Sequence, residues 1–217
     1  MVGRILSERL IARLVAIAVV LVMIVSPLSG IQPAKADSWL GVEQYHQAYS
    51  LSCEFAALYM VTDYWGDPIY ENYSLNVTGW SNNPHLGFRG DINGDWGNTS
   101  DYGIYAEPLA NIAWGYGYGA DINYDPDPNL LAAYLDDGVP VIVWISVFGN
   151  WGWQEWDDSG NEYRLVPYEH VVVANGYDDY GVWISDPGTG AYNELSWSYF
   201  LYAWELMDGM MLAVYPH

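Results

Sequence analysis

Gln47-Ala48-Tyr49-Ser50-Leu51-Ser52-Cys53-Glu54-Phe55-Ala56-Ala57-Leu58-Tyr59-Met60-Val61-Thr62-Asp63-Tyr64 holds the only cysteine of the 217-residue chain. A short polar lead-in runs into a segment with helical periodicity. Ala56, Ala57, Met60, Val61 and Tyr64 follow Cys53 at intervals that share one helical face. Ser50 or Ser52 is placed to cap the start, and Gly66-Asp67-Pro68 stops the helix. Cys53 then lies in the first turn, where unpaired N–H groups and the helix dipole favour negative charge. That position predicts a lowered thiol pKa and a reactive thiolate. The competing reading is a small buried cysteine that packs as an ordinary hydrophobe.

Upstream, Arg4, Arg9 and Arg13 precede an unbroken apolar run from Leu14 to Val25. Ser26-Pro27 and Ser29-Gly30 break it, and Ala34-Lys35-Ala36 supplies a small-x-small cleavage point. This is the pattern of a secretory signal over residues 1–36, with the mature domain over 37–217. The run is shorter than the roughly 20 apolar residues that span a bilayer. The expectation is an exported protein, secreted or held at the cell surface, with no membrane contact after cleavage. A lone cysteine in an exported chain has no internal disulfide partner, which strengthens the reactive reading of Cys53.

The only lysine and three of the five arginines fall in the leader. Residues 37–217 keep Arg89 and Arg164 against 26 acids, a formal charge of −24. Nucleic acid is excluded as a partner, because nothing could neutralise its phosphates. Half the residues are apolar, so the chain is not a disordered acidic tail.

Downstream, residues 66–101 read as a long irregular segment rich in Asn, Gly, Asp and Tyr. Within it, Asp91 to Asp95 begins like a calcium loop but has Trp96 where Gly belongs and Tyr102 at the twelfth position. A turn-rich loop beside the active site is the stronger expectation. Helices are predicted over 107–114 and 127–135, and a buried strand over 139–145. Residues 149–164 read as a loop over one end of the sheet. Glu169 to Tyr177 and Gly181 to Pro187 form a predicted hairpin that turns at 178–180. That hairpin brings His170 and Asp186 side by side at its open end, within a residue or two of register. A carboxylate there orients the imidazole and stabilises its charged form. A helix over 195–206 and a strand over 210–215 close the chain. His46, His85 and His217 have no such context, no histidine pair has metal-ligand spacing, and no phosphate loop or dinucleotide fingerprint occurs. No metal or cofactor is expected.

The order Cys53, His170, Asp186, with cysteine on a helix and the other two on a hairpin, resembles the papain-like peptidases. Gln47 lies six residues before Cys53, where those enzymes keep the glutamine of the oxyanion hole, and Asp186 lies sixteen after His170. More closely, the chain resembles exported bacterial proteins similar to the double-glycine-leader peptidases of bacteriocin exporters, the peptidase C39-like group. The residues that carry this are Gln47…Leu51-Ser52-Cys53-Glu54, Asn83 to Gly90, Tyr102 to Ala106, Gly138 to Trp144, Glu169-His170 and Ser185 to Gly188. The resemblance implies an α+β papain-like fold, its N-terminal catalytic helix packed on a C-terminal antiparallel sheet. It implies acyl transfer by Cys53, His170 as the base, Asp186 as its orienter and Gln47 as an oxyanion donor. Glu54 and Glu169 would structure the site rather than react. Exporter peptidases are fused to transporters and work in the cytoplasm, so leader cleavage does not carry over to a free-standing exported chain. The expected partner is a peptide or protein, with cell-wall peptide as one candidate. Two other readings share these residues: a catalytically idle domain that binds peptide or glycan through its many Trp and Tyr, and a transglutaminase-like acyl transfer to an amine.

Overall fold

The computed structural model describes residues 38–217. The leader over 1–36 and its cleavage point lie outside the described residues. Among the described residues no helix is long and apolar enough to cross a membrane.

In chain order the elements are β1 (Ser38–Trp39), α1 (Cys53–Tyr64), α2 (Glu71–Val77), α3 (Ala106–Tyr116), β2 (Tyr118–Tyr124), α4 (Pro128–Asp136), β3 (Val141–Ser146), β4 (Trp153–Trp156), β5 (Glu162–Leu165), β6 (Glu169–Tyr177), β7 (Gly181–Asp186), β8 (Ala191–Ser196), α5 (Trp197–Glu205) and β9 (Met210–Pro216). The main sheet runs β2-β9-β3-β6-β7-β8, with β1 added to β6, and every strand pair in it is antiparallel. β4 and β5 form a separate hairpin.

The central strands are covered on both faces, which is why they read as continuous apolar runs. In β3, Ile142 and Trp144 face one core together with Val171 and Val173 of β6, while Val141, Val143 and Ile145 face a second core with Val172 and Ala174. This is the period-two alternation of a strand. The first core is filled by α1 and α3, the second by α4 and α5.

α1 departs from the one-faced helix read from its spacing. Phe55 and Leu58 are buried along with Ala56, Ala57, Met60 and Val61. The helix lies against the sheet on one side, and Phe88, Tyr102 and Ile104 belong to the same core. A helix wrapped on several sides needs apolar residues around most of its circumference. Ser52 occupies the N-cap position without a side-chain cap; its hydroxyl bonds the Tyr49 backbone instead. The helix stops where expected, with Gly66 at φ +87° donating to Asp63 O.

Residues 149–164 are not a plain loop: they include the β4–β5 hairpin, closed by Asp157, whose Oδ1 accepts from Ser159 N and Asn161 N. The segment 66–101 contains α2, and β2 and β8 are additional strands.

Candidate active site

The N-terminus of α1, the start of β6 and the last residue of β7 meet at one end of the sheet. A cleft of about 560 Å³ opens there, and Cys53, His170, Asp186 and Gln47 all line it. The β6–β7 ladder pairs Val173 with Ser185 and Ala174 with Ile184, then shifts register at a bulge before Gly176. Asp186 therefore stands about two positions from direct opposition to His170, and the side chains close the gap with a 2.7 Å bond from imidazole Nε2 to Oδ1. Asp186 Oδ1 also accepts from Gly188 N at 2.8 Å, and Oδ2 accepts from Thr189 Oγ1 at 3.0 Å. Burial pushes the Asp186 carboxyl up, but the His170 bond and charge, with Thr189 and the Gly188 N–H, outweigh it and hold the group below its ordinary range. The second imidazole nitrogen, Nδ1, is left for the cleft.

Gln47 is fixed by its own backbone and by the turn it begins. Its N–H donates to Pro187 O at 2.9 Å, tying this segment to the residue after Asp186. Its side-chain Nε2 donates to Tyr49 O and Ser50 O, both at 2.8 Å, and its Oε1 is buried without a partner. The Cys53 N–H opens α1, where helix geometry supplies no backbone acceptor.

The thiol corrects the expectation from helix position. Cys53 is 4 % exposed, and its Sγ bonds Glu54 Oε2 at 3.5 Å; no hydrogen bond joins it to His170. Burial, then the carboxyls of Glu54 and Glu169, push the thiol well above its ordinary range, with the Val171 backbone pulling the other way. Desolvation and two neighbouring acids exceed what one helix N-terminus offers a charge. Burial therefore disfavours a lone thiolate at Cys53. Burial also raises Glu54 to about 7, against the Ile104 N–H that donates to its Oε1 at 2.7 Å, and raises Glu169 well above a carboxyl's usual range.

The sequence did not single out Trp96. Its Nε1 donates to Glu169 O at 2.7 Å, and its ring stands edge-on to His170 at 6.5 Å and to Tyr168 at 5.4 Å. It rises from the Asn- and Asp-rich loop, where no periodicity marks one aromatic among many. The Asp91–Asp101 loop closes on itself: the Asp91 N–H donates to Asp101 Oδ1, and the Asn93 N–H to Asp91 Oδ1. Among the described residues, the one group of three acidic, histidine or cysteine ligand atoms within 4.8 Å of each other is Cys53, Glu54 and Glu169, not this loop.

Comparison with known proteins matches most of the chain. The family model described as Peptidase_C39 like family matches residues 39–211. The uncharacterized protein YvpB of Bacillus subtilis (strain 168) is 27% identical over 177 residues, 75% of this chain and 68% of YvpB. A crystal structure described as a C39-like peptidase from Bacillus anthracis superposes with a TM-score of 0.73 at 22% identity, covering 84% of this chain and 99% of that one. The peptidase domain of Streptococcus ComA, a bi-functional ABC transporter of a quorum-sensing pathway, gives 0.53 at 16% identity, covering 81% and 99%. The fold is α+β and papain-like, as the resemblance implied.

Proposed function

The chain belongs to the Peptidase_C39 like family, and on that premise we propose that it is an exported cysteine peptidase or amidase acting on peptide or protein substrates. The observation that carries the proposal is the 2.7 Å His170–Asp186 bond in the cleft that Cys53 and Gln47 also line. Export rests on the leader pattern of residues 1–36, which leaves 37–217 as the working domain, secreted or held at the cell surface.

In this reading Asp186 holds Nε2 and sets the imidazole for its task through Nδ1. As a substrate carbonyl enters, His170 takes the proton from Cys53, so that a thiolate forms beside an imidazolium although burial disfavours a lone thiolate. The sulfur attacks the carbonyl carbon. The oxyanion is met by the Cys53 N–H and by a Gln47 N–H, for which it competes with the Tyr49 and Ser50 carbonyls. Collapse breaks the C–N bond, and the leaving amine takes the proton from His170. Water then attacks the thioester, giving its proton to His170 and the acyl group as a carboxylic acid, and the sulfur recovers its proton. An amine in place of water would give acyl transfer instead of hydrolysis. Cell-wall peptide fits the export signal as a substrate.

A second reading, a catalytically idle domain that binds peptide or glycan, draws on one observation: the resting sulfur bonds Glu54 rather than His170. Alkylation separates the two. Iodoacetamide at pH 6 to 7 is expected to modify Cys53, and His170→Ala to slow the reaction at least about tenfold, the worth of one pKa unit. Equal rates in wild type and His170→Ala sink the enzyme reading and leave the binding one.

A further inference from the structure

Beneath the nucleophile lie two carboxyls that pair with no cationic side chain among the described residues. Glu54 is fully buried and Glu169 is 4 % exposed. With the Cys53 sulfur they offer three ligand atoms within 4.8 Å of one another. They come from different elements: Glu54 follows Cys53 on α1, while Glu169 opens β6 on the same strand face as Val171 and Val173, the face that meets α1.

The groups around them do not supply positive charge. Glu54 Oε1 accepts from the Ile104 N–H, and Glu169 Oε1 is buried with no partner. From the segment before α3, Tyr102 and Tyr105 face Glu169, and burial keeps both phenols neutral. His170, the neighbour of Glu169 on β6, gives its Nε2 to Asp186. Arg164 is committed to Leu206 O and Asp208, and Arg89 to Thr99 O, Asn82 O, Tyr163 and Glu155. Two ionised carboxylates in this pocket would face each other and the sulfur, with the backbone N–H groups of Ile104 and Glu54 as the donors to Glu54 and that of Val171 as the donor to the sulfur.

The geometry points to a shared proton: Glu54 and Glu169 retain at least one between them through the neutral range, and by doing so they keep the negative charge beneath Cys53 low enough for its thiolate to form. They are positioning residues that act on the nucleophile through charge. The inference rests on the reading of Cys53 as nucleophile. Like carboxyls that share a small buried site cannot both ionise at ordinary pH, and burial raises both groups here. When the pair loses its last proton at high pH, a second negative charge appears beside the sulfur and opposes ionisation.

The test follows the glutamate side-chain carboxyl carbons by ¹³C NMR from pH 4 to 10, with Glu54 and Glu169 assigned through Glu54→Gln and Glu169→Gln. Iodoacetamide alkylation is measured over the same range. One proton of the pair is expected to survive past pH 7. Alkylation of wild type and E169Q is expected to agree within about twofold below pH 7, with E169Q faster by about tenfold at pH 9, one unit of thiol pKa. Both carboxyls ionised below pH 6 would overturn the proposal. So would alkylation profiles that stay parallel at all pH values, or one equivalent of divalent metal in the purified protein that is lost in E169Q, since a cation would then replace the proton. The carboxyl titration repeated in Cys53→Ser needs no reactive thiol, so it judges the pair even if His170→Ala shows that Cys53 is not a nucleophile.

Discussion

Glu54 accepts from Ile104 on one oxygen and touches the Cys53 sulfur with the other, and burial moves its ionisation up to about 7. The folded state therefore holds a proton that the unfolded chain releases near 4.5. Folding is helped by acid at this group. Its cost is absent below 4.5, grows as pH rises, and is complete above 7, amounting to as much as about 3 kcal/mol. Glu54→Gln removes it, so the melting temperature of E54Q relative to wild type should be higher at pH 8 than at pH 5. A difference of the same size at both pH values would show that Glu54 carries no such cost. Asp186 works with the opposite sign. Its carboxyl is held below the ordinary range, so it contributes stability above the unfolded value, near 3.8, that is lost as pH falls through the folded one. Asp186→Asn should flatten the acid limb of a pH–stability curve and, because an amide cannot hold imidazolium as a carboxylate does, slow alkylation of Cys53 at least about tenfold. Unchanged alkylation in D186N would remove Asp186 from the proposed site.

At the scale of elements, the N-terminal turn of α1 is linked to β3 through one backbone residue. Ile104 gives its N–H to Glu54 and its carbonyl to the indole of Trp144 in β3, at 3.0 Å. The preceding Gly103 has φ +145°, and a Cβ there would overlap Glu54 Oε1. Gly103→Ala is expected to destabilise the fold by about 2–4 kcal/mol, from backbone strain and the displaced carboxylate. Denaturant melts within 0.5 kcal/mol of wild type, roughly the size of an inert surface change, would contradict this coupling. The elements legible beforehand were those with strong signals. The β6–β7 hairpin announced itself through two apolar runs around a polar turn, β3 through a run of β-branched residues, and α4 through Asp127, whose carboxylate caps it by accepting from Asn129 N. Others carried none. β2 includes Gly119, Asp121 and Asn123, poor strand formers; Gly119 serves there because the Tyr215 ring of β9 occupies the place of a side chain. β4 and β5 are four residues each, and β4 buries none, so neither periodicity nor burial marks it. At the site, Cys53, His170 and Asp186 were readable because each sits at or next to an element end, and Gln47 was readable only through its spacing from Cys53. The electrostatics of Cys53 were not, since Glu169 reaches it only through the pairing of β6 with β3 and the packing of α1 on both.

For the whole molecule, charge is the dominant fact. Residues 37–217 carry 26 acids and two arginines, so the folded surface repels itself and gains from screening. Raising NaCl from 20 to 500 mM shortens the screening length several-fold and should raise the melting temperature by a few degrees; a temperature that stays level or falls would mean that the acids are already compensated. The two arginines are spent on holding the periphery together. Arg89 joins the loops at Asn82 and Thr99 to the β4–β5 hairpin through Tyr163 and Glu155, and Arg164 joins the same hairpin to Leu206 and Asp208 beyond α5. With no lysine among the described residues, these are also the only two places where trypsin can cut them. Both are knotted into hydrogen bonds that a protease must first undo. Trypsin thus becomes a two-channel clock for the protein: a nick after Arg164 times the release of the hairpin from the end of α5, a nick after Arg89 times its release from the long loop, and the order in which the fragments arrive gives the order in which the outer shell comes apart.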